Sequence, residues 1–283
     1  MAVFFHLSDL NWKDLPRDNK REARYYALFS HESAQNGWIG LSGHLAKRTP
    51  DFFNVTLTYR MDSDAPVPYV WFLNGTSKNF SFDSLKAKLL NKSRLVAWMA
   101  SNCVTNSKRE LYIHELKKYI SVDIYGACGS LKCPRDSSCG EMMEKRYKFY
   151  VAFENSVCKD YVTEKYPRAL KHYMIPIVLS DAIYRPIMPL HSYIAADRFS
   201  SPKELASYLL YLDGNSTAYA EYFQFWNSYH LQPPEKLDVS CNLCELVSNQ
   251  SGVLPTRVVK DLHKHWIKEA NCQPGFAERL IKH

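Results

Sequence analysis

The stretch YKFYVAFENSVCKDYVTEK, residues 147–165, decides how this chain is read. It opens as a buried strand, with aromatic and β-branched residues around a single lysine. It then breaks at Glu154-Asn155-Ser156 and restarts as a helix behind Thr163-Glu164-Lys165. With Thr163 as N-cap, Glu164 and Lys165 occupy the first turn, and Pro167 falls where backbone donors lack helical partners anyway. Free N–H groups at a helix start, beside a lysine, suit a phosphate. Asn155 and Tyr161 can donate to phosphate oxygens from the preceding loop, and the Glu164 carboxylate suits the two hydroxyls of a ribose. Together they describe a nucleotide diphosphate site. The alternative is an ordinary capped helix with exposed charges, and the density of polar groups behind a buried strand favours the site.

The flanking segments extend the pattern. RLVAWMAS (94–101) and SVDIYG (121–126) read as strands on either side of RELYIHELKKY (109–119), whose apolar spacing is near-helical. After the joint come a helix over 164–173 and a strand MIPIVLS (174–180). Ser201-Pro202-Lys203-Glu204 is a capping box with proline at the first helical position, opening ELASYLLYL. Strand, helix, strand repeated in this way predicts a parallel sheet with helices on its faces, and ligands at the carboxyl ends of its strands. The first third adds strands at AVFFHL (2–7), YYALFS (25–30) and FNVTLTYR (53–60), with a polar linker or outer surface over 76–93.

The chain has 283 residues, enough for two medium domains each with its own core. Its hydrophobic content of 46% places it among globular proteins, and a net charge of +7 suits an anionic ligand. No polybasic arm points to nucleic acid. Eight cysteines include the cluster Cys128, Cys133 and Cys139, and a C-x-x-C at Cys241 and Cys244 with Cys272 beyond it. Zinc is the rival to disulfides there, but His263 and His265 are too closely spaced for a usual structural site, so disulfides are preferred. Six N-x-S/T sequons, at Asn54, Asn74, Asn79, Asn91, Asn215 and Asn249, exceed the about two expected by chance and favour an oxidising lumen. MAVFFH is too short for a signal segment or a spanning helix, so an amino-terminal part missing from the sequence is the expectation.

The joint resembles the donor-binding signature of the α1,3-fucosyltransferases, inverting enzymes that use GDP-fucose. FFNVTLTYRMDSDAPVPY (52–69), LVAWMASNCVTNSKRELY (95–112), ISVDIYG (120–126) and SYIAADRFSSPKELASYL (192–209) are similar to further blocks of that family, in order, from about Arg24 to Tyr222. The resemblance implies an α/β fold of the GT-B kind, two Rossmann-like domains facing a central cleft: an acceptor-side domain over 1–93, incomplete at its start, and a GDP-fucose domain over 94–283. By position in the motifs, Asn155, Tyr161, Glu164 and Lys165 match donor contacts. Arg109 would join Lys165 in neutralising the pyrophosphate, and Tyr125 and Tyr150 would border the nucleotide.

The family's catalytic glutamate falls, in YALFSHESAQ (26–35), at Glu32, implied to be the general base that deprotonates an acceptor hydroxyl. His31 and Ala34 depart from the usual motif, which bears on loop shape and acceptor choice. CGSLKCPR (128–135) looks like invertebrate members, including those that modify the innermost GlcNAc of N-glycans; a lactosamine-type antenna is the alternative acceptor. Asp62-Ser63-Asp64 has the D-x-D form of metal-dependent glycosyltransferases, yet it is read as a structural turn or cleft wall. No cofactor is required on this reading, and a divalent cation would at most stimulate. The resemblance further implies a type II Golgi membrane protein whose anchor lies outside this sequence, the only tie to a membrane. A non-catalytic binding protein on the same fold is the rival function. No Gly-rich dinucleotide loop or nucleophile elbow supports another enzyme class.

Overall fold

The computed structural model describes residues 2–10, 15–16, 25–37, 52–75, 81–89, 92–133, 138–232, 244, 259 and 261–281. The chain forms two compact units. The first comprises Met1–Tyr69, Cys158–Tyr161 and Pro233–Cys272; the second comprises Val70–Val157, Val162–Gln232 and Gln273–His283.

In the first unit, β1 (Ala2–His6), β2 (Tyr25–Ser30) and β3 (Val55–Thr58) form a parallel sheet in that order, with the single turn α1 (Ala34–Gly37) after β2. Side chains alternate across β2, so each face collects its own core. Tyr26 and Leu28 pack with Leu7, Phe53, Tyr59, Tyr161 and Trp266; Tyr25 and Ala27 pack with Val55, Leu57, Ala65 and Val67. A disulfide between Cys158 and Cys272 stitches this unit together. Cys272 is therefore no partner of the C-x-x-C motif, of which Cys241 lies outside the described residues. It is not available as a zinc ligand either.

The Asp62-Ser63-Asp64 segment is a turn held by its own neighbours. Asp64 accepts from the backbone N–H and the hydroxyl of Thr56, at 2.9 and 2.8 Å. Asp62 accepts from Arg60 and Lys159, each at 2.8 Å. Burial works against its ionisation, but those two cations hold its carboxyl well below the usual range. Arg60 is fully buried and also donates to the His265 carbonyl. Both carboxylates thus serve as internal staples.

In the second unit β4 (Trp71–Asn74) and α2 (Phe82–Leu89) precede β5 (Arg94–Met99), α3 (Arg109–Leu116), β6 (Val122–Tyr125), α4 (Ser138–Arg146) and β7 (Tyr147–Val151). The chain continues through α5 (Lys165–Lys171), β8 (Ile175–Val178), α6 (Asp181–Tyr184), β9 (Ile194–Ala195), α7 (Pro202–Gly214), α8 (Ser216–Glu221) and β10 (Tyr229–Gln232). Five parallel strands run β6-β5-β7-β8-β9. β6 and β7 pair with β5 on opposite sides, so the order reverses between β5 and β7. A crevice at the carboxyl ends of such a pair is where α/β sheets bind ligands.

The boundary between units falls at Val70, whereas the sequence reading placed it after residue 93. β4 pairs antiparallel with β10, and α2 packs against α8, so residues 70–93 share the second unit's core. The capping box at α7 differs in one arm. Ser201 accepts from the Glu204 N–H at 3.3 Å, but the Glu204 carboxylate takes the N–H and hydroxyl of Ser200, one residue before the expected donor. Two further disulfides join Cys103 to Cys128 and Cys133 to Cys139. Of the sequon asparagines, Asn54 accepts the Tyr26 N–H and Asn215 caps α8, while Asn74 is exposed on β4. Asn79, Asn91 and Asn249 lie outside the described residues.

Candidate functional site

The reversal between β5 and β7 brings together the loops 100–108 and 152–164. Buried aromatic residues carry β7 through the sheet, and the strand's end delivers Phe153, Glu154 and Asn155 to the crevice. The two loops are cross-tied. Ser107 donates its N–H to the Asn155 carbonyl at 2.9 Å and its hydroxyl to the Glu154 carbonyl at 2.8 Å. Arg109 donates to the Phe153 carbonyl at 2.6 Å and the Asn102 carbonyl at 3.1 Å. A disulfide from Cys103 to Cys128 links the loop after β5 to the loop after β6.

Glu154 is the hub. Only 4% exposed, it accepts from the N–H and hydroxyl of Thr163, both at 2.8 Å, and from Lys165 Nζ at 2.8 Å. Burial alone would lower the Lys165 pKa, yet the charges of Glu154 and Glu164 raise it, so the ammonium is secure at neutral pH. Glu164 sits half exposed beside Lys165 at 3.4 Å. Burial disfavours its charge, but Lys165, Thr163 and Arg168 hold its carboxyl below the usual range. Arg168 donates to the Tyr150 hydroxyl at 3.3 Å.

Thr163 does not cap the helix. Its hydroxyl is spent on Glu154, and α5 begins at Lys165 behind Glu164, whose side chain makes no capping bond. The hydroxyl donates to the Glu154 carboxylate, and its oxygen accepts from Lys165 Nζ at 2.6 Å in place of a helix N–H. At seven residues α5 is also short, so cationic side chains supply most of the positive potential.

Among the residues expected at the site, the second unit gathers Arg109, Tyr150, Asn155, Glu164 and Lys165 at the ends of β5 and β7. The Asn155 side-chain carbonyl is buried without a hydrogen-bond partner among the described residues. Tyr125 turns its hydroxyl into an internal chain, to Tyr147 at 2.8 Å and thence to Asp123 at 2.6 Å. Tyr161 belongs to the first unit, its ring 4.9 Å from Tyr59. Also in the first unit, Glu32 follows β2, half buried, its carboxylate 3.5 Å from the Asn36 amide. Beside it His31 lies between Phe29 and Tyr69, and burial lowers its pKa.

Glu154 and Arg168 join these residues at the crevice without belonging to the motif positions named above. Glu154 shows in sequence only as the first polar residue after an apolar run, and Arg168 only as the cation three residues beyond Lys165 on one helix face. Lys165 and Arg168 feel the charges of Glu154 and Glu164, and Arg109 lies near enough to act on Lys165. Three cations against two carboxylates leave the crevice ready for an anion.

The model for glycosyltransferase family 10 (fucosyltransferase), C-terminal part, matches residues 89–266, and the fucosyltransferase N-terminal model matches residues 1–70. The α-(1,3)-fucosyltransferase fut-1 of Caenorhabditis elegans is 41% identical over 219 residues, covering 76% of this chain and 48% of the relative. Glycoprotein 3-α-L-fucosyltransferase A of Drosophila melanogaster is 41% identical over 237 residues, covering 80% and 45%. The chain spans about half the length of these two relatives. In fold it is similar to an α1,3-fucosyltransferase crystallised with GDP-fucose, with a TM-score of 0.55 at 17% identity over 84% of this chain and 78% of that one. The architecture is GT-B, with a parallel sheet in each unit.

Proposed function

Because the chain belongs to glycosyltransferase family 10, the fucosyltransferases, we propose that it transfers L-fucose from GDP-β-L-fucose to the 3-hydroxyl of a GlcNAc residue with inversion. The observation that carries this is the cationic group Arg109, Lys165 and Arg168, set around the buried Glu154 at the β5–β7 crevice. The donor diphosphate lies against Lys165 and Arg168. Arg109, tied to two carbonyls, adds its charge and holds the loop after β5. Asn155 offers its amide to the nucleotide and Glu164 takes the ribose hydroxyls, while the buried Tyr150 and Tyr125 act from behind, Tyr150 by holding Arg168 and Tyr125 through its bond to Tyr147.

The reaction is one displacement. Glu32 takes the proton of the acceptor 3-hydroxyl, the oxygen attacks the anomeric carbon, and the bond to the β-phosphate oxygen breaks as GDP departs. Charge that builds on the leaving group meets the cations, an attraction larger in the transition state than in the ground state. No cofactor is needed, and a divalent cation would only add to charge that the side chains already supply. The disulfides suit an oxidising lumen, that of the Golgi. Among the described residues no helix is long and apolar enough to cross a membrane.

The decisive assay is release of GDP from GDP-fucose on addition of N-glycan acceptors in the presence of a chelator, with product mass and linkage read out. GDP release dependent on acceptor supports transfer. GDP binding without acceptor-dependent release would leave the non-catalytic binding protein standing instead. A panel of core and antennal acceptors decides between the innermost GlcNAc and lactosamine.

A further inference from the structure

A second cavity, of about 670 Å³, lies over the edge strand β9 of the second unit. It is lined by the segments on either side of β9, by Asp181 of α6, Tyr208 of α7 and Tyr222 just after α8, and it shares no residue with the Glu154–Lys165 crevice. Its size falls within the roughly 300–1,000 Å³ typical of small-molecule sites.

One side of it is a fixed polar array. Asp181 accepts from Arg198 at 2.6 Å, from Arg185 at 2.8 Å and from the Tyr193 hydroxyl at 3.2 Å. The Asp181 N–H is in turn held by Asp197, at 2.9 Å. Each guanidinium gives one donor to Asp181 while its side chain stays 55% exposed at Arg185 and 52% at Arg198, leaving further N–H groups toward solvent. The other side is aromatic. Phe199 and Tyr208 meet with ring centroids 5.4 Å apart, and the hydroxyls of Tyr208 and Tyr222 bond at 2.7 Å. Leu190, 61% exposed, adds an apolar rim.

This combination selects a class of ligand. Both guanidinium groups converge on the Asp181 carboxylate, which stands between them and would repel a phosphate. A pyranose presents vicinal hydroxyls that both give and take hydrogen bonds, matching a carboxylate flanked by N–H donors. Its C–H face carries slight positive charge and lies well on the electron-rich face of an aromatic ring. We propose that this cavity is a saccharide-binding subsite, distinct from the donor crevice, which takes an uncharged oligosaccharide of the hexose or N-acetylhexosamine type.

The test is saturation-transfer difference NMR on the whole chain with saturating GDP, using N,N′-diacetylchitobiose and N-acetyllactosamine as probes. The expected result is binding at about millimolar Kd, weakened about tenfold or more in Tyr208→Ala and in Arg198→Gln. GDP affinity should stay unchanged in both. Arg198→Gln keeps the test open if Tyr208→Ala unfolds. The proposal is overturned if neither saccharide binds below about 10 mM, or if both variants bind like the parent chain. Fucosyl transfer is a separate readout: saccharide binding that persists in a chain unable to release GDP would remove the donor reading and leave this one intact.

Discussion

Lys165 and Glu154 form an ion pair at 2.8 Å whose carboxylate is almost wholly buried and whose ammonium side chain is 16% exposed. The pair links the strand that ends at the crevice to the helix that follows it. Removing one member strands the other. Glu154→Gln is expected to destabilise the chain by about 3–5 kcal/mol, the usual cost of an uncompensated buried charge. It should also weaken GDP binding, because Lys165 loses the acceptor that aims it. A melting temperature like that of the parent chain would contradict the hub role.

Lys165→Ala should destabilise the chain as well, because the buried Glu154 loses its cation, and it adds a direct effect on the ligand. It leaves Glu154 held by Thr163 and removes the nearest cation from the proposed diphosphate site. A loss of GDP affinity of about tenfold or more is expected, with a smaller loss in Arg168→Ala, measured by calorimetry. Both variants should lose affinity for GDP and GDP-fucose alike, because the diphosphate is common to them.

Glu32→Gln tests the base. Turnover should fall by about 100-fold or more, the range expected on loss of a general base, with GDP-fucose affinity unchanged. Near-normal turnover would move the proton to another group.

The acid limb of stability should report Asp62. Its folded pKa is lowered, so its contribution is full above the ordinary carboxylate value of about 3.9. That contribution is lost as pH falls below this value toward the folded one, because the folded carboxylate then binds fewer protons than the unfolded one. The melting-temperature gap between the parent chain and Asp62→Asn should therefore be widest near neutrality and narrow in acid. A gap that does not vary with pH would exclude the ionic role.

The disulfide between Cys158 and Cys272 spans a sequence separation of 114. Its loss in Cys158→Ser, with Cys272→Ser to avoid a stray thiol, should cost about 2–5 kcal/mol. Thermal melts of the double variant under non-reducing conditions measure it, and an unchanged midpoint would mean that packing around Trp266 suffices.

The strands were legible because their residues carry the signal themselves. YYALFS, RLVAWM and YKFYV are apolar runs of strand length, and each forms a strand where expected. The candidate site was partly legible for the same reason, since Asn155 closely follows such a run and Lys165 opens the next helix. What escaped depends on chain that folds back. Glu154 finds Thr163 nine residues later, so a threonine poised as a cap is captured by a carboxylate. β4 finds its partner β10 far along the chain, which moves residues 70–93 into the second unit. Local periodicity holds no record of such pairings.

The first unit's composition has a consequence during synthesis. Tyr26 and Tyr59 pack in one cluster with Tyr161 and with Trp266, and Cys158 must wait for Cys272. A ribosome adding about 5–20 residues per second delivers Trp266 at least ten seconds after Tyr59. During that interval the nascent sheet β1-β2-β3 lacks its closing face, and its aromatic side chains stay open to chaperones and to other chains. The amino-terminal segment leaves the ribosome first, but its half of the molecule is completed only when residues 261–272 arrive.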